Sequence, residues 1–147
     1  MDALSRKVLI IANVAMIAAI TLHDLDHIRQ ARGWCYTITA LLWVINGLVY
    51  IPGIFALVAS VKRARWAPFA TAFGALLIST LFAKVHLWKP FFQVWGVWNR
   101  SFLDLGADAL SWGILTLLVT VAAFVAMAAA WADGRIHTLS GVGRVST

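Results

Sequence analysis

VLIIANVAMIAAITLHDLDHIRQ, residues 8–30, opens as a run suited to lipid and closes on two histidines and two aspartates. Its apolar part is long enough to approach the ~20 residues that cross ~30 Å of hydrocarbon. Arg6-Lys7 followed by an apolar segment has the outline of a signal peptide. No convincing small-x-small cleavage site precedes a soluble mature domain, because more apolar runs lie downstream, so the segment reads as a first transmembrane helix. Three further runs complete the set, giving spans at Val8–His27, Ile38–Val61, Trp66–Ala83 and about Leu103–Trp131. The expected fold is all-α, a polytopic membrane protein built as a four-helix bundle over residues 1–134.

Composition agrees with that expectation. Of 147 residues 62% are hydrophobic and 12% charged, with a mean hydropathy of +0.85, which is too little charge for a soluble surface of this size. The net charge of +6 comes from basic residues in short connectors, such as Lys62-Arg63-Ala64-Arg65. That placement points to anionic lipid head groups and the positive-inside rule rather than to nucleic acid. The single cysteine, Cys35, excludes an internal disulfide.

Local punctuation shapes the spans. Pro68 falls in the first turn of the third, where proline is tolerated. Pro52-Gly53 falls within the second and predicts a kink. Asp133-Gly134 predicts the end of the fourth, leaving 135–147 as a flexible polar tail. Arg6, Lys7, Lys62, Arg63, Arg65, Arg135 and Arg144 collect on one side, seven against the five of Arg29, Arg32, Lys84, Lys89 and Arg100. This bias places both termini in the cytoplasm, in a cell (inner or plasma) membrane. Trp34, Trp88, Trp95 and Trp98 would then mark the outer interface, with Trp66 and Trp131 at the inner one. The connector KPFFQVWGVWNR, 89–100, would lie along the outer interface.

The polar end of the first span carries the candidate site. At about 1.5 Å per residue, His23 lies about 22 Å and His27 about 28 Å along the helix from Val8, just below and at the outer surface. His23, Asp26, His27 and Gln30 share one face, and Ala12, Ala15, Met16 and Ala19 continue it inward with mostly small residues fit for helix packing. Asp24 falls elsewhere on the wheel and is expected in solvent. From the other helices come His86, with Ser79 on its face, then Asp108 and Ser111, and Asn46 from the descending second span. Asp104 reads as part of a capping box opened by Ser101.

Ionisable residues at membrane depth are costly and mark function by default. His23, His27 and His86 with Asp26 and Asp108 form a donor set for one divalent ion such as zinc, with Ser79, Ser111 and Asn46 around it. The same residues also read as a polar helix cap of hydrogen bonds and ion pairs to Arg29, Arg32 or Lys84. Haem ligation would need His27 and His86 to face each other across the bundle.

Three histidines, an aspartate and a serine at a membrane surface resemble, in residue types, the zinc site of alkaline-ceramidase-type membrane hydrolases. That superfamily has seven spans against four here, and Ser79 to His86 is not its serine–histidine spacing. The resemblance implies a metal-dependent hydrolase acting on a lipid at the outer leaflet, with an ion-activated water and Asp108 or Asp26 handling the proton. The absence of a soluble catalytic domain favours a non-enzymatic role instead, as a small membrane subunit or ligand-binding accessory protein. Its partners would be the lipid bilayer and other membrane subunits or further copies of itself. A channel or carrier would need several copies, because four helices enclose little space and no internal repeat is visible.

The orientation has a direct check. A reporter fused after Thr147 is expected in the cytoplasm and a tag within 89–99 outside; an external C-terminus would invert the topology.

Overall fold

The structure, a computed structural model, describes residues 1–33, 38–88 and 101–145, with side chains described as far as Thr138. Cys35, Trp34, Trp95, Trp98 and the 89–100 connector lie outside the described residues. Those described are helical or in turns. α1 runs Ala3–Gly33, α2 Ala40–Leu48, α3 Tyr50–Val61, α4 Ala67–Ala83 and continues as a π-helical turn Lys84–Trp88, α5 is the short Phe102–Leu105, and α6 is Ala109–Val145. Four segments are long and apolar enough to cross a membrane: Ala3–Gly33, Ala40–Val61, Ala67–Trp88 and Ala109–Thr138.

The interruptions have local causes. Proline lacks an N–H and its ring clashes with the carbonyl four residues back. For Pro52 that carbonyl belongs to Leu48, where α2 ends and α3 begins after Val49. The expected kink is therefore a break one turn ahead of the proline. At the foot of α3 the N–H of Ala64 bonds Ala59 O at 2.9 Å and that of Arg63 bonds Ser60 O at 3.2 Å. This is a Schellman stop with Arg63 at φ 57° in the left-handed position.

The fourth span differs from the expectation at both ends. Ser101 Oγ accepts from the Asp104 N–H at 3.2 Å, as the capping reading requires. The helix it opens stops after one turn, because Gly106 takes φ 64°. A second start follows, where Asp108 Oδ1 accepts the Ser111 N–H at 2.9 Å. Asp108 thus caps α6, a role the sequence reading did not give it. At the far end α6 does not stop at Asp133-Gly134 but continues helical to Val145, so the expected flexible tail is helix through 145. Glycine within a helix costs only about 1 kcal/mol against alanine, which is not enough to end one whose neighbours remain helical. Thr138 Oγ1 donates to Gly134 O across this point.

α1, α3, α4 and α6 form a ring in which each packs on two neighbours. Arg29–Asp108 joins α1 to α6 at one end and Asp2–Arg135 joins the two ends opposite, so these helices run antiparallel. Asp2 also caps α1, and the Ser5 hydroxyl and N–H push its carboxyl down to about 2. Close approach is set by small residues. A Cβ on Gly74 would sit 3.4 Å from Pro52 Cβ, so α4 packs directly against the proline break. Midway along, Asn13 Nδ2 donates to Thr71 Oγ1 at 2.9 Å and to Leu9 O at 2.8 Å, with Ser60 beside it. All three side chains are buried, and this knot of α1, α3 and α4 was not anticipated. Outward, Phe69 is 72% exposed, Phe124 63% and Leu103 70%, a surface apolar on every side.

Met16, Ala19 and Ile20 of α1 pack with Ile78 and Phe82 of α4 and Leu115 and Leu118 of α6 beneath the histidines. Ala12 and Ala19 face inward as expected; Ala15 does not, and lines an apolar surface groove with Ile11 and Phe124. Replacing Ala19 by Phe should therefore lower stability in detergent by roughly 1–3 kcal/mol through overpacking. Unfolding titrations of Ala19→Phe against the parent check this, and equal stability would mean that this face is not packed.

Candidate metal centre

His23 and His27 project from one stripe of α1, and His86 reaches them from the π-helical turn after α4. All three are 3–4% exposed. One ligand atom from each can be chosen so that all lie within 4.8 Å of one another. The rings pack edge to face, with centroids 4.5 Å apart for His23–His27 and 4.7 Å for His23–His86. His23 Nε2 and His86 Nε2 are 3.1 Å apart. Two nitrogens on a tetrahedral zinc stand about 3.3 Å apart, given bonds of ~2.0–2.1 Å. That pair already has the spacing, and the third nitrogen would close in by up to about 1.5 Å.

The walls of the cluster are aromatic. Phe82 lies edge-on to His23 at 4.5 Å and Phe102 edge-on to His86 at 4.6 Å. Phe102 is the first residue of α5, so the Ser101 cap and the Gly106 turn are what hold this ring over the site. The His27 and His86 rings, the pair that haem would need, have centroids 5.7 Å apart and are tilted 32° to one another, with the His23 ring packed against both. His86 is anchored from behind, its Nδ1 lying 2.8 Å from Phe82 O.

The two expected carboxylate ligands are elsewhere. Arg29 donates from Nε to Asp26 Oδ1 at 2.6 Å, and from its two terminal nitrogens to Asp108 at 2.7 and 2.9 Å. Gln30 Nε2 donates to Asp26 Oδ2 at 2.6 Å and to Ser111 Oγ at 2.9 Å, and Arg29 reaches the same Ser111. Asp26, Arg29, Gln30, Asp108 and Ser111 therefore form a clamp between α1 and α6, beside the histidines. Among the described residues the group with ligand spacing holds the three histidines and neither aspartate. Asp26 misses because a position three residues after His23 lies on the flank toward α6, where a guanidinium is the stronger partner. Ser79 turns to its own helix and donates to Leu76 O. Asn46 is buried on α2, and its Nδ2 has no hydrogen-bond partner among the described residues.

Asp24, expected in solvent, lies against α3. Tyr50 donates its hydroxyl to Asp24 Oδ2 at 2.8 Å, and Asp24 Oδ1 faces His23 Nδ1 at 3.8 Å. Assigning α1 a single inward face missed this pair, because a helix in a ring of four is covered on two sides. Tyr50 was the available signal, since a half-buried phenol in an apolar run needs a partner for its hydroxyl. No family model, curated protein or solved structure matches the chain.

The Arg29 guanidinium, then the Ser111 N–H, hold the Asp108 carboxyl well below the usual carboxylate range. A depressed carboxyl contributes stability above its unfolded value near 3.9 and loses it as pH falls through the folded one. Asp108→Asn is accordingly expected to lower the detergent melting temperature by the same amount from pH 5 to 8. The difference should shrink below about pH 4. A difference that grows toward acid pH would contradict the clamp.

Proposed function

We propose that this protein is an integral membrane protein of four spans that binds one divalent transition ion, zinc foremost, on His23, His27 and His86. In this reading it serves as a non-enzymatic membrane subunit or ligand-binding partner within a larger assembly. Both termini are cytoplasmic and the histidine site lies near the outer surface of the cell membrane. The observation that carries the metal reading is the convergence of three buried imidazoles on one point, with donor atoms within 4.8 Å. Imidazole nitrogen suits zinc and its first-row neighbours, whereas magnesium and calcium prefer oxygen. Besides the carbonyl that holds His86 from behind, the three rings pack on one another, which a set of separately capped histidines would not need.

The hydrolase reading is second, favoured by a three-nitrogen donor set that leaves a fourth position on the ion open. Against it, the carboxylates that would handle a proton, Asp26 and Asp108, are both engaged by Arg29, and Ser79 is bonded within its own helix.

Metal analysis and zinc titration of the purified protein test both readings. One zinc per chain is expected, and loss of any of His23, His27 or His86 to Ala should weaken binding beyond the ~10–100-fold typical for a residue that only orients a ligand. Affinity should fall as pH drops through about 6.5, because a protonated imidazole cannot ligate. A parent protein that binds no added zinc, or alanine variants that bind as it does, would overturn the reading. Hydrolysis of an outer-leaflet lipid by the zinc-loaded protein would instead favour the second.

A further inference from the structure

Two contacts fix where the protons sit on His23 and His86. A carbonyl oxygen only accepts, so the 2.8 Å contact to Phe82 O puts the His86 proton on Nδ1. In a neutral imidazole the other nitrogen is then a lone pair. His86 Nε2 lies 3.1 Å from His23 Nε2, so His23 carries its proton on Nε2 and donates it. His23 Nδ1 is left as a lone pair, 3.8 Å from Asp24 Oδ1. Both atoms are buried and neither has a hydrogen-bond partner among the described residues. Two acceptors face each other at a distance beyond a hydrogen bond, with no proton between them. The carboxylate is held in that position from its other side by the Tyr50 hydroxyl at 2.8 Å.

An ion shared by the two Nε2 atoms needs a lone pair on each. His86 already presents one; His23 does not. We propose that Asp24, fixed by Tyr50, is the positioning residue that makes His23 a ligand, by accepting a hydrogen bond from Nδ1–H once His23 carries its proton there and turns its Nε2 lone pair to the metal. The inference rests on the metal reading above. The exchange balances within one ring: the proton leaves Nε2, one is taken up on Nδ1, and neutral His23 stays neutral. The new Nδ1–H meets Asp24 Oδ1, and the gap closes toward the ~2.8 Å of a charge-assisted bond. Metal-bound histidines ordinarily donate their second N–H to a carboxylate or a backbone carbonyl. His86 has its carbonyl partner already in place, and His23 gains its carboxylate partner with the ion.

Long-range 1H–15N spectra of histidine-labelled protein in detergent, with and without zinc, read the tautomers directly. Without metal His86 should be the Nδ1–H form and His23 the Nε2–H form; with zinc His23 should change to Nδ1–H. Zinc affinity should fall ~10–100-fold in Asp24→Ala, as for other residues that orient a metal ligand. Asp24→Asn, whose Oδ1 still accepts, should recover part of that loss. Tyr50→Phe keeps the carboxylate but releases it, and should weaken binding by a smaller factor; it carries the test if Asp24→Ala does not fold. His23 remaining Nε2–H with zinc bound, or Asp24→Ala or Tyr50→Phe binding as tightly as the parent, overturns this inference and leaves the metal reading standing. A parent that binds no zinc overturns both.

Discussion

A polar side chain set between apolar helices has to find its partner on another helix. α1 carries more such groups than any other described element, and each draws in a particular neighbour. Asn13 takes Thr71 of α4, with Ser60 of α3 beside it; Asp24 takes Tyr50 of α3; His23 takes His86 beyond α4; Arg29 takes Asp108 and Ser111 of α6. Packing of alanines and leucines alone leaves helices free to slide by a turn. Polar contacts at several depths do not, because a slip leaves donors and acceptors unmatched in a medium that offers no replacement. The register of the whole bundle follows from these pairs on one helix.

The same requirement divides the carboxylates between two tasks. Asp26 and Asp108 take Arg29, and Asp24 takes the side of His23. What remains at the centre is a nitrogen-only cluster, buried behind Phe82 and Phe102. Asp24, Asp26 and Asp108 lie around it with the Arg29 guanidinium.

Features that depend on neighbours in sequence were legible from the sequence. Span length, the stripe of His23 and His27, the inward Ala12 and Ala19, the Ser101 cap and the interruption at Pro52 are local consequences of hydropathy, helical period and proline sterics. The convergence of His86 with the α1 histidines was also within reach, because the first and third spans run the same way and matched depth then follows from residue rise alone. The errors cluster where local signals compete. Ser101 and Asp108 both cap helix starts, and Gly106 decides between them by ending the first after one turn. Gly134 carries the same residue type without a left-handed conformation, and there the helix continues.

Choice of partner was not legible. Asp24, Asp26 and Asp108 are the same residue near the same end of the bundle, and nothing in their spacing says which will meet a histidine. The sequence by itself determined that four apolar helices would carry histidines and carboxylates to a common depth. Only the tertiary structure decided that α1 is covered by α3 on one flank and α6 on the other. That arrangement gives Asp24 to Tyr50 and His23, and Asp26 to Arg29, because a buried charge goes to the strongest donor that its own flank can reach.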